Sequence, residues 1–377
     1  MVRVLQFGMT ENIGGTEMYL MAQYRQMDKK KVLYDFVFMP LHENNQMAFA
    51  DEVQAEGSRI YRVLPPKRAL LMHYFLIMRL MWQHRHEYQA VVMNVNSVAY
   101  IFPLLAAAVC GIPCRIMHSH NSGEIDAHSF IRKFIREQRS RINRWLMRHV
   151  ATQYWACSGL AGRWMFRGEP FTVIHNAIDL ERFHYQPDLR DRMRRELGVQ
   201  DRFVLGNVAR FSYQKNQPFL VDVFKEVKAR IPEAILLLVG NATYGVDVYD
   251  ETKRKVVQYG LQDSVKFLGM RSDTNALYQA FDVFVLPSRF EGLCIASIEA
   301  QGAGLVNICS KVLSPETNVS RDFYTMDLND GAVKWAETII AHRHDVRHDG
   351  APSLRAAGYD ICKEAKRVEH FFASLAQ

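Results

Sequence analysis

Eleven short aliphatic and β-branched runs recur along the chain, each separated from the next by a stretch that can hold a helix. The first series is "RVLQF" (3–7), "YDFVFM" (34–39), "AVVMNV" (90–95), "RIMHS" (115–119), "TQYWACS" (152–158) and "FTVIH" (171–175). The second is "FVLGNVAR" (203–210), "AILLLVG" (234–240), "VKFLG" (265–269), "VFVLP" (283–287) and "VNICS" (306–310). Continuous apolar runs suit strands buried on both faces, and their alternation with helices demands parallel sheets joined by right-handed crossovers. The pattern predicts an α/β chain of two parallel-sheet domains. The charge-dense stretch "DLERFHYQPDLRDRMRRELGVQD" (179–201) parts the two series, so we place domains at 1–176 and 201–355 with a linker over 177–200.

In open parallel sheets, ligands sit beyond the carboxyl ends of the strands. The segments found there are "GMTENIGGTE", "NVNS", "HSHNSG", "CSGLAG", "HNAID", "RFSYQKN", "GNATYG", "MRSD" and "SRFEG". They are rich in Gly, Asn, His, Ser and cations. Gly14 and Gly15 permit close backbone approach ahead of a helix whose first N–H groups suit an anion. The loop fails G-x-G-x-x-G, and the chain has no G-x-x-x-x-G-K-[ST]. His118 and His120 close the fourth strand of the first series, and His120, nearer the strand's end, is the one placed toward a ligand. No Asp-x-Asp occurs, so no carboxylate pair is expected to hold a divalent ion at a phosphate. Arg210 and Lys215 follow the first strand of the second series, where a bidentate guanidinium and a compact ammonium suit a diphosphate. In "SRFEGLCIASIEAQGAG" (288–304), Glu291 and Glu299 flank a helix start whose amides near Gly292, Leu293 and Cys294 suit a phosphate. Ionised carboxylates accept hydrogen bonds from sugar hydroxyls. Acids that merely complement a helix dipole would give the same spacing.

The chain has 377 residues and a net charge of +7. All of that excess lies in residues 1–180, which hold 21 Lys/Arg against 14 Asp/Glu. The segment 130–149 sets Ile131, Phe134, Ile135, Ile142, Trp145 and Leu146 on one stripe, with Arg132, Lys133, Arg136, Arg139, Arg141 and Arg148 largely off it. Such a helix can lie on an anionic membrane surface, or pack its stripe on the core and leave a solvated basic face. No nucleic-acid motif accompanies it, so nucleic acid is not expected as a partner. The windows 69–82 and 98–114 fall short of the ~20 apolar residues that span a bilayer and read as buried helices. The six cysteines have no zinc spacing, and "MVRVLQFG" opens directly on a strand. Reduced thiols and a cytoplasmic location are expected.

These segments together resemble the retaining glycosyltransferases of family 4, the glycosyltransferase group 1 proteins. "LPSRFEGLCIASIEAQGAGL" carries their E-x7-E signature, and "RIMHSHNS", "WACS", "VIHNAIDLERF", "VARFSYQKN", "LLLVGN" and "VKFLGMRSDTNALYQAFDVFVLPS" fall in the family's order. "GGTEMYLMAQYRQMDKKKVLYDFVF" and "HSHN" look like the subgroup that builds bacterial exopolysaccharide and capsule.

The resemblance implies a GT-B fold, two facing Rossmann-like domains with an inter-domain cleft: an acceptor domain, then a nucleotide-sugar domain. The final helix, 356–377, would cross back to the first domain. The donor implied is a nucleotide sugar, a UDP-sugar by preference, and the acceptor a lipid-linked saccharide, with no metal or other cofactor. Arg210 and Lys215 correspond to the cations on the diphosphate, Glu299 to the acid on the ribose, and Glu291 to the acid on the transferred sugar. Gly292 and Leu293 would offer amides to the phosphate, His120 would stand near the reaction centre, and Gly14 and Gly15 would face the diphosphate and acceptor. Cys294 stands where the family commonly has Pro, and "GAGLVNICS" replaces its G-x-P. A UDP-sugar epimerase of the same architecture is the alternative enzyme, and a glycan- or membrane-binding protein without catalysis the alternative class.

Overall fold

The computed structural model describes residues 1–42, 44–123, 130–242 and 246–376, with the helical backbone alone over 130–133. The chain divides into two compact units, Met1–Ala177 with Ile361–Gln377, and Ile178–Asp360. Each is built on an all-parallel sheet.

In the first unit the strands are β1 (Val2–Phe7), β2 (Val32–Phe38), β3 (Ile60–Arg62), β4 (Tyr88–Val95), β5 (Cys114–Ser119), β6 (Gln153–Ala156) and β7 (Thr172–Val173). Their order across the sheet is β3-β2-β1-β4-β5-β6-β7. The helices are α1 (Gly15–Gln26), α2 (Ala50–Ala55), α3 (Leu70–His84), α4 (Phe102–Val109), α5 (Phe130–Val150) and α6 (Gly159–Phe166). All seven residues of β2 are buried, as a strand covered on both faces requires. Its one acid, Asp35, is satisfied by the Arg3 guanidinium at 2.6 Å and the Tyr88 hydroxyl at 2.8 Å.

The second unit carries β8 (Phe203–Val208), β9 (Ala234–Val239), β10 (Val265–Gly269), β11 (Val283–Leu286), β12 (Val306–Ser310) and β13 (Phe323–Met326), in the order β10-β9-β8-β11-β12-β13. Its helices are α7 (Leu180–Phe183), α8 (Pro187–Leu197), α9 (Gln217–Arg230), α10 (Val246–Gln258), α11 (Thr274–Ala280), α12 (Ile295–Gly302), α13 (Gly331–Ala341) and α14 (Ala351–Ala356). The core gathers Leu205, Leu236, Leu238, Val283 and Ile308 from the sheet with Leu220, Phe224, Trp335 and Ile339 from the helices.

Three expectations change. The stretch read as a linker over 177–200 forms α7 and α8, part of the second unit. Pro187 starts α8 and Gly198, in the left-handed region, ends it. Two of its four arginines look inward: Arg190 donates to the Gln279 and Phe281 carbonyls, and Arg194 to the Ala280 carbonyl and Asp282, while Arg192 and Arg195 are exposed. Charge density marked a helix packed on α11 and bonded to the turn before β11 rather than a solvated connector. Secondly, the segment 356–377 is not one helix. Its first residue ends α14 in the second unit, and α15 (Ile361–Ser374) lies in the first unit against α1, β1 and β2. Phe372 of α15 is fully buried, with its ring 5.9 Å from that of Tyr34 and 5.6 Å from that of Trp155. Thirdly, α3 is not a buried helix: it buries His73, Ile77, Leu80 and Met81 but exposes Leu71, Phe75 and Trp82.

Candidate functional site

Both sheets reverse strand order once, between β1 and β4 in the first unit and between β8 and β11 in the second. Ligands of open α/β sheets sit at such switch points, beyond the carboxyl ends of the strands. The sequence-derived residues lie at these two edges.

In the first unit, Gly8 has φ +117, and a Cβ there would stand 2.7 Å from the Asn94 carbonyl oxygen. Glycine lets the ends of β1 and β4 close on one another. Asn94 then donates through Nδ2 to the Phe7 carbonyl at 2.9 Å and to Gln6 Oε1 at 3.0 Å. Because a backbone carbonyl must face the NH2 end of the amide, Oδ1 is the atom turned toward His120 Nε2, 3.1 Å away. His120 therefore carries its proton on Nε2, and Nδ1 is a buried lone pair with no hydrogen-bond partner among the described residues. Burial pushes its imidazole down to about 3, so the ring is neutral near pH 7 and a poor proton acceptor. His118 lies behind it, fully buried, with ring centroids 4.1 Å apart and Tyr19 packed on both.

Gly14 caps α1, and the Glu17 carboxylate reaches back to the Gly14 N–H at 3.2 Å while accepting from Thr10 Oγ1 at 2.7 Å. The expectation of helix-start amides open to an anion is corrected at Gly14, whose N–H is already taken by this capping acid. Gly15 is the first residue of α1.

In the second unit, Gly240 has φ +148, and a Cβ there would fall 2.0 Å from the Ala209 carbonyl oxygen. That contact brings the loop after β8 against the end of β9. Arg210 stands exposed on this loop, with its carbonyl held by Gln217 Nε2 at 2.9 Å. Asn216, in the left-handed region at φ 58, turns the chain into α9 and donates to the Pro287 carbonyl. The turn aims Lys215 at Glu291, Nζ to Oε1 2.5 Å, with both side chains nearly buried. Ser288 Oγ donates to the same oxygen at 2.8 Å and Gln214 Nε2 to the other at 3.2 Å. Burial alone would lower the Lys215 ammonium, but Cys294 and Glu291 beside it outweigh that and hold it above its ordinary value. Glu291 is thus engaged by Lys215, and Arg210 and Arg289 are the exposed cations here. Arg289 stacks over Tyr213 at 4.6 Å and donates to Asn216 Oδ1 at 2.9 Å.

Helix α12 starts beyond the buried residues Gly292, Leu293 and Cys294. Its first N–H groups have no intrahelical acceptor, and the Cys294 side chain at the N-cap makes no capping bond. Burial pushes the Cys294 thiol up to about 11. Glu299, farther along the helix, is 8% exposed and accepts from the Tyr278 hydroxyl at 2.9 Å. Burial raises its carboxyl to about 7, with Tyr278 and Arg182 opposing the rise.

Arg210, Lys215, Glu291, Gly292 and Leu293 therefore come together with the start of α12, and Glu299 follows in the same helix. Gly14, Gly15 and His120 belong to the other edge. Gln214, Ser288 and Arg289 lie within the post-strand segments, where nothing in the sequence marks them apart from their neighbours. Asn94 closes β4 in "NVNS", and Tyr278 carried no local signal.

Two family profiles cover most of the chain: Glycosyltransferase Family 4 over residues 13–182 and Glycosyl transferases group 1 over residues 190–328. The Bacillus subtilis protein EpsF, itself described as a glycosyltransferase, is 31% identical over 372 residues, covering 95% of this chain and 93% of its own. The chain belongs to the glycosyltransferase group 1 family. An Escherichia coli UDP-Gal:α-D-GlcNAc-diphosphoundecaprenol α-1,3-galactosyltransferase matches this glycosyltransferase at 32% identity over 164 residues, 42% of each chain. Among solved structures, Anabaena HepE in complex with UDP-glucose superposes with a TM-score of 0.78 over 99% of this glycosyltransferase and all of HepE, at 20% identity. That likeness establishes the GT-B fold.

Proposed function

We propose that this glycosyltransferase moves a hexose, with retention of configuration, from a UDP-sugar to a hydroxyl of a lipid-linked saccharide during exopolysaccharide or capsule assembly. The observation that carries this reading is the convergence of Arg210, the Lys215–Glu291 pair and the start of α12 at one switch point, with Glu299 in the same helix. Arg210 and the α12 amides take the diphosphate, and Glu299 takes the ribose hydroxyls. Glu291, anchored by Lys215, Ser288 and Gln214, orients the sugar. As the anomeric C–O bond to the β-phosphate breaks, negative charge grows on the diphosphate, where fixed cations and amides stabilise it most. The new bond forms from the acceptor oxygen, whose proton passes to the departing phosphate. No metal is assigned to these steps. His120, neutral and fixed by Asn94, positions rather than transfers a proton.

The names of the relatives support the finer points: HepE was solved with UDP-glucose, and the E. coli enzyme uses UDP-Gal and a diphosphoundecaprenol acceptor. Among the described residues no helix is long and apolar enough to cross a membrane. A lipid-linked acceptor therefore calls for a peripheral approach to the inner face of the membrane, through α5. Thermal shift against UDP-, GDP- and ADP-hexoses tests the donor: a UDP-hexose should raise the melting temperature, and Arg210→Ala should abolish the rise. No shift with any nucleotide sugar, or conversion of the UDP-sugar alone into another UDP-sugar, would overturn the reading.

A further inference from the structure

Ten of the twenty large apolar side chains exposed among the described residues lie on three helices of the first unit, α3, α4 and α5. Right-handed crossovers from β3 to β4, β4 to β5 and β5 to β6 all run in one direction across the sheet and put these helices on the same side. α4 packs against both α3 and α5. The outer helices also hold the same loop after β4: Asn143 of α5 donates to the Val98 carbonyl at 2.7 Å, and His73 of α3 bonds Tyr100.

On α5 the orientation is the reverse of a core-packed amphipathic helix. Ser140 and Met147 are buried and Arg144 turns inward to the Met165 carbonyl, while Phe134, Ile135, Ile142 and Trp145 face out. Of the stripe read from sequence, Ile131 lies outside the described side chains, as do Arg132 and Lys133. At 3.6 residues per turn, the outward apolar stripe has Arg141 along one side, with Arg148 beyond it paired to Glu169 at 2.7 Å, and Arg139 along the other. On α3, Leu71, Phe75, Met78 and Trp82 repeat at intervals of four, three and four residues along one outward line, with Leu71 83% exposed. This helix has one cation, Arg79, and no acid, and residues 134–150 of α5 have Glu137 as their one acid.

We infer that α3 and α5 together form a docking face for a bilayer surface rich in anionic phospholipid, with the α3 line as the inserting element and the α5 arginines as its electrostatic frame. Apolar side chains flanked by cations suit an interfacial helix. Charge complementarity selects the occupant. A second copy meeting this face symmetrically would set arginines against arginines, whereas anionic headgroups attract each one. The inference deepens the membrane approach proposed above, and the face itself stands without the transferase reading.

The test uses the full chain with vesicles of phosphatidylcholine alone or mixed with phosphatidylglycerol. The protein should sediment with the mixed vesicles, release at high salt, and show a blue-shifted tryptophan emission. The Leu71→Ser/Phe75→Ser/Trp82→Ser variant alters exposed positions, so it should keep its circular dichroism and its UDP-sugar thermal shift. Its vesicle affinity should fall about tenfold or more. Arg139→Glu/Arg141→Glu should lose roughly fivefold per unit of charge on mixed vesicles. Val333→Ser, exposed on α13, should change nothing. Vesicle binding that is absent, or indifferent to the α3 variant, overturns the inference. So does a dimer by light scattering that the α3 variant converts to monomer, which would make a second copy the occupant. A wild-type protein that binds vesicles but no nucleotide sugar would sink the transferase reading and leave the docking face standing.

Discussion

Glu299 occupies a place that costs the folded chain stability. Its carboxyl titrates near 7 in the fold against ~4.3 in an unfolded chain. Between those values the native state holds a proton that the unfolded state has lost, so this residue's contribution falls as pH rises from about 4 to 7 and is then constant. The deficit above pH 7 is on the order of 4 kcal/mol. Glu299→Gln should therefore raise the melting temperature at pH 8 but not at pH 4, while weakening UDP-sugar binding. In the wild type, affinity should rise with pH up to about 7 as the carboxylate proposed to accept ribose hydroxyls becomes the stable form; calorimetric titration across that range checks it. Lys215→Met has the opposite sign. It takes the cation from the buried Glu291, leaving the Ser288 and Gln214 donors without a balancing charge, and should cost about 3 kcal/mol in denaturant unfolding, with turnover lost. The Lys215–Glu291 pairing was not legible in the chain, because its members stand 76 positions apart and each alone suggested contact with ligand. Nor was the His120 tautomer, which depends on Asn94 and on the Phe7 carbonyl that orients it.

A similar device recurs at the level of elements. Gly8 follows β1 against Asn94 at the end of β4, and Gly240 follows β9 against the Ala209–Arg210 backbone after β8, and each lacks a side chain where that neighbouring backbone passes. Gly240→Ala puts a Cβ into the Ala209 carbonyl, so it should push the Arg210 loop outward and raise KM for the nucleotide sugar more than it lowers kcat. The strands themselves were readable, since runs such as "AILLLVG" must be covered on both faces. β3 and β13 escaped because three- and four-residue edge strands need little apolar sequence. α3 was misread for another reason: its composition is that of a core helix, and composition does not say which side of a helix meets solvent.

For the whole molecule, alternation alone carries two parallel sheets, and the ordered motifs carry the resemblance to the family. What alternation does not carry is ownership of the chain's last segment. α15 places Phe372 between Tyr34 and Trp155 and lets Glu364 accept from the His175 N–H at 2.8 Å. Phe372→Ala should cost roughly 3–5 kcal/mol and lower the melting of the first unit while leaving the second near its wild-type transition, resolvable by calorimetry. The same feature bears on biosynthesis. Residues 178–360 emerge as one contiguous unit, whereas the unit that holds residues 1–177 is incomplete until 361–377 leave the ribosome. At roughly 5–20 residues per second, that interval is on the order of 10–40 s. Through that interval the second unit emerges, while the aromatic surface around Tyr34 and Trp155 still lacks Phe372 as its cover.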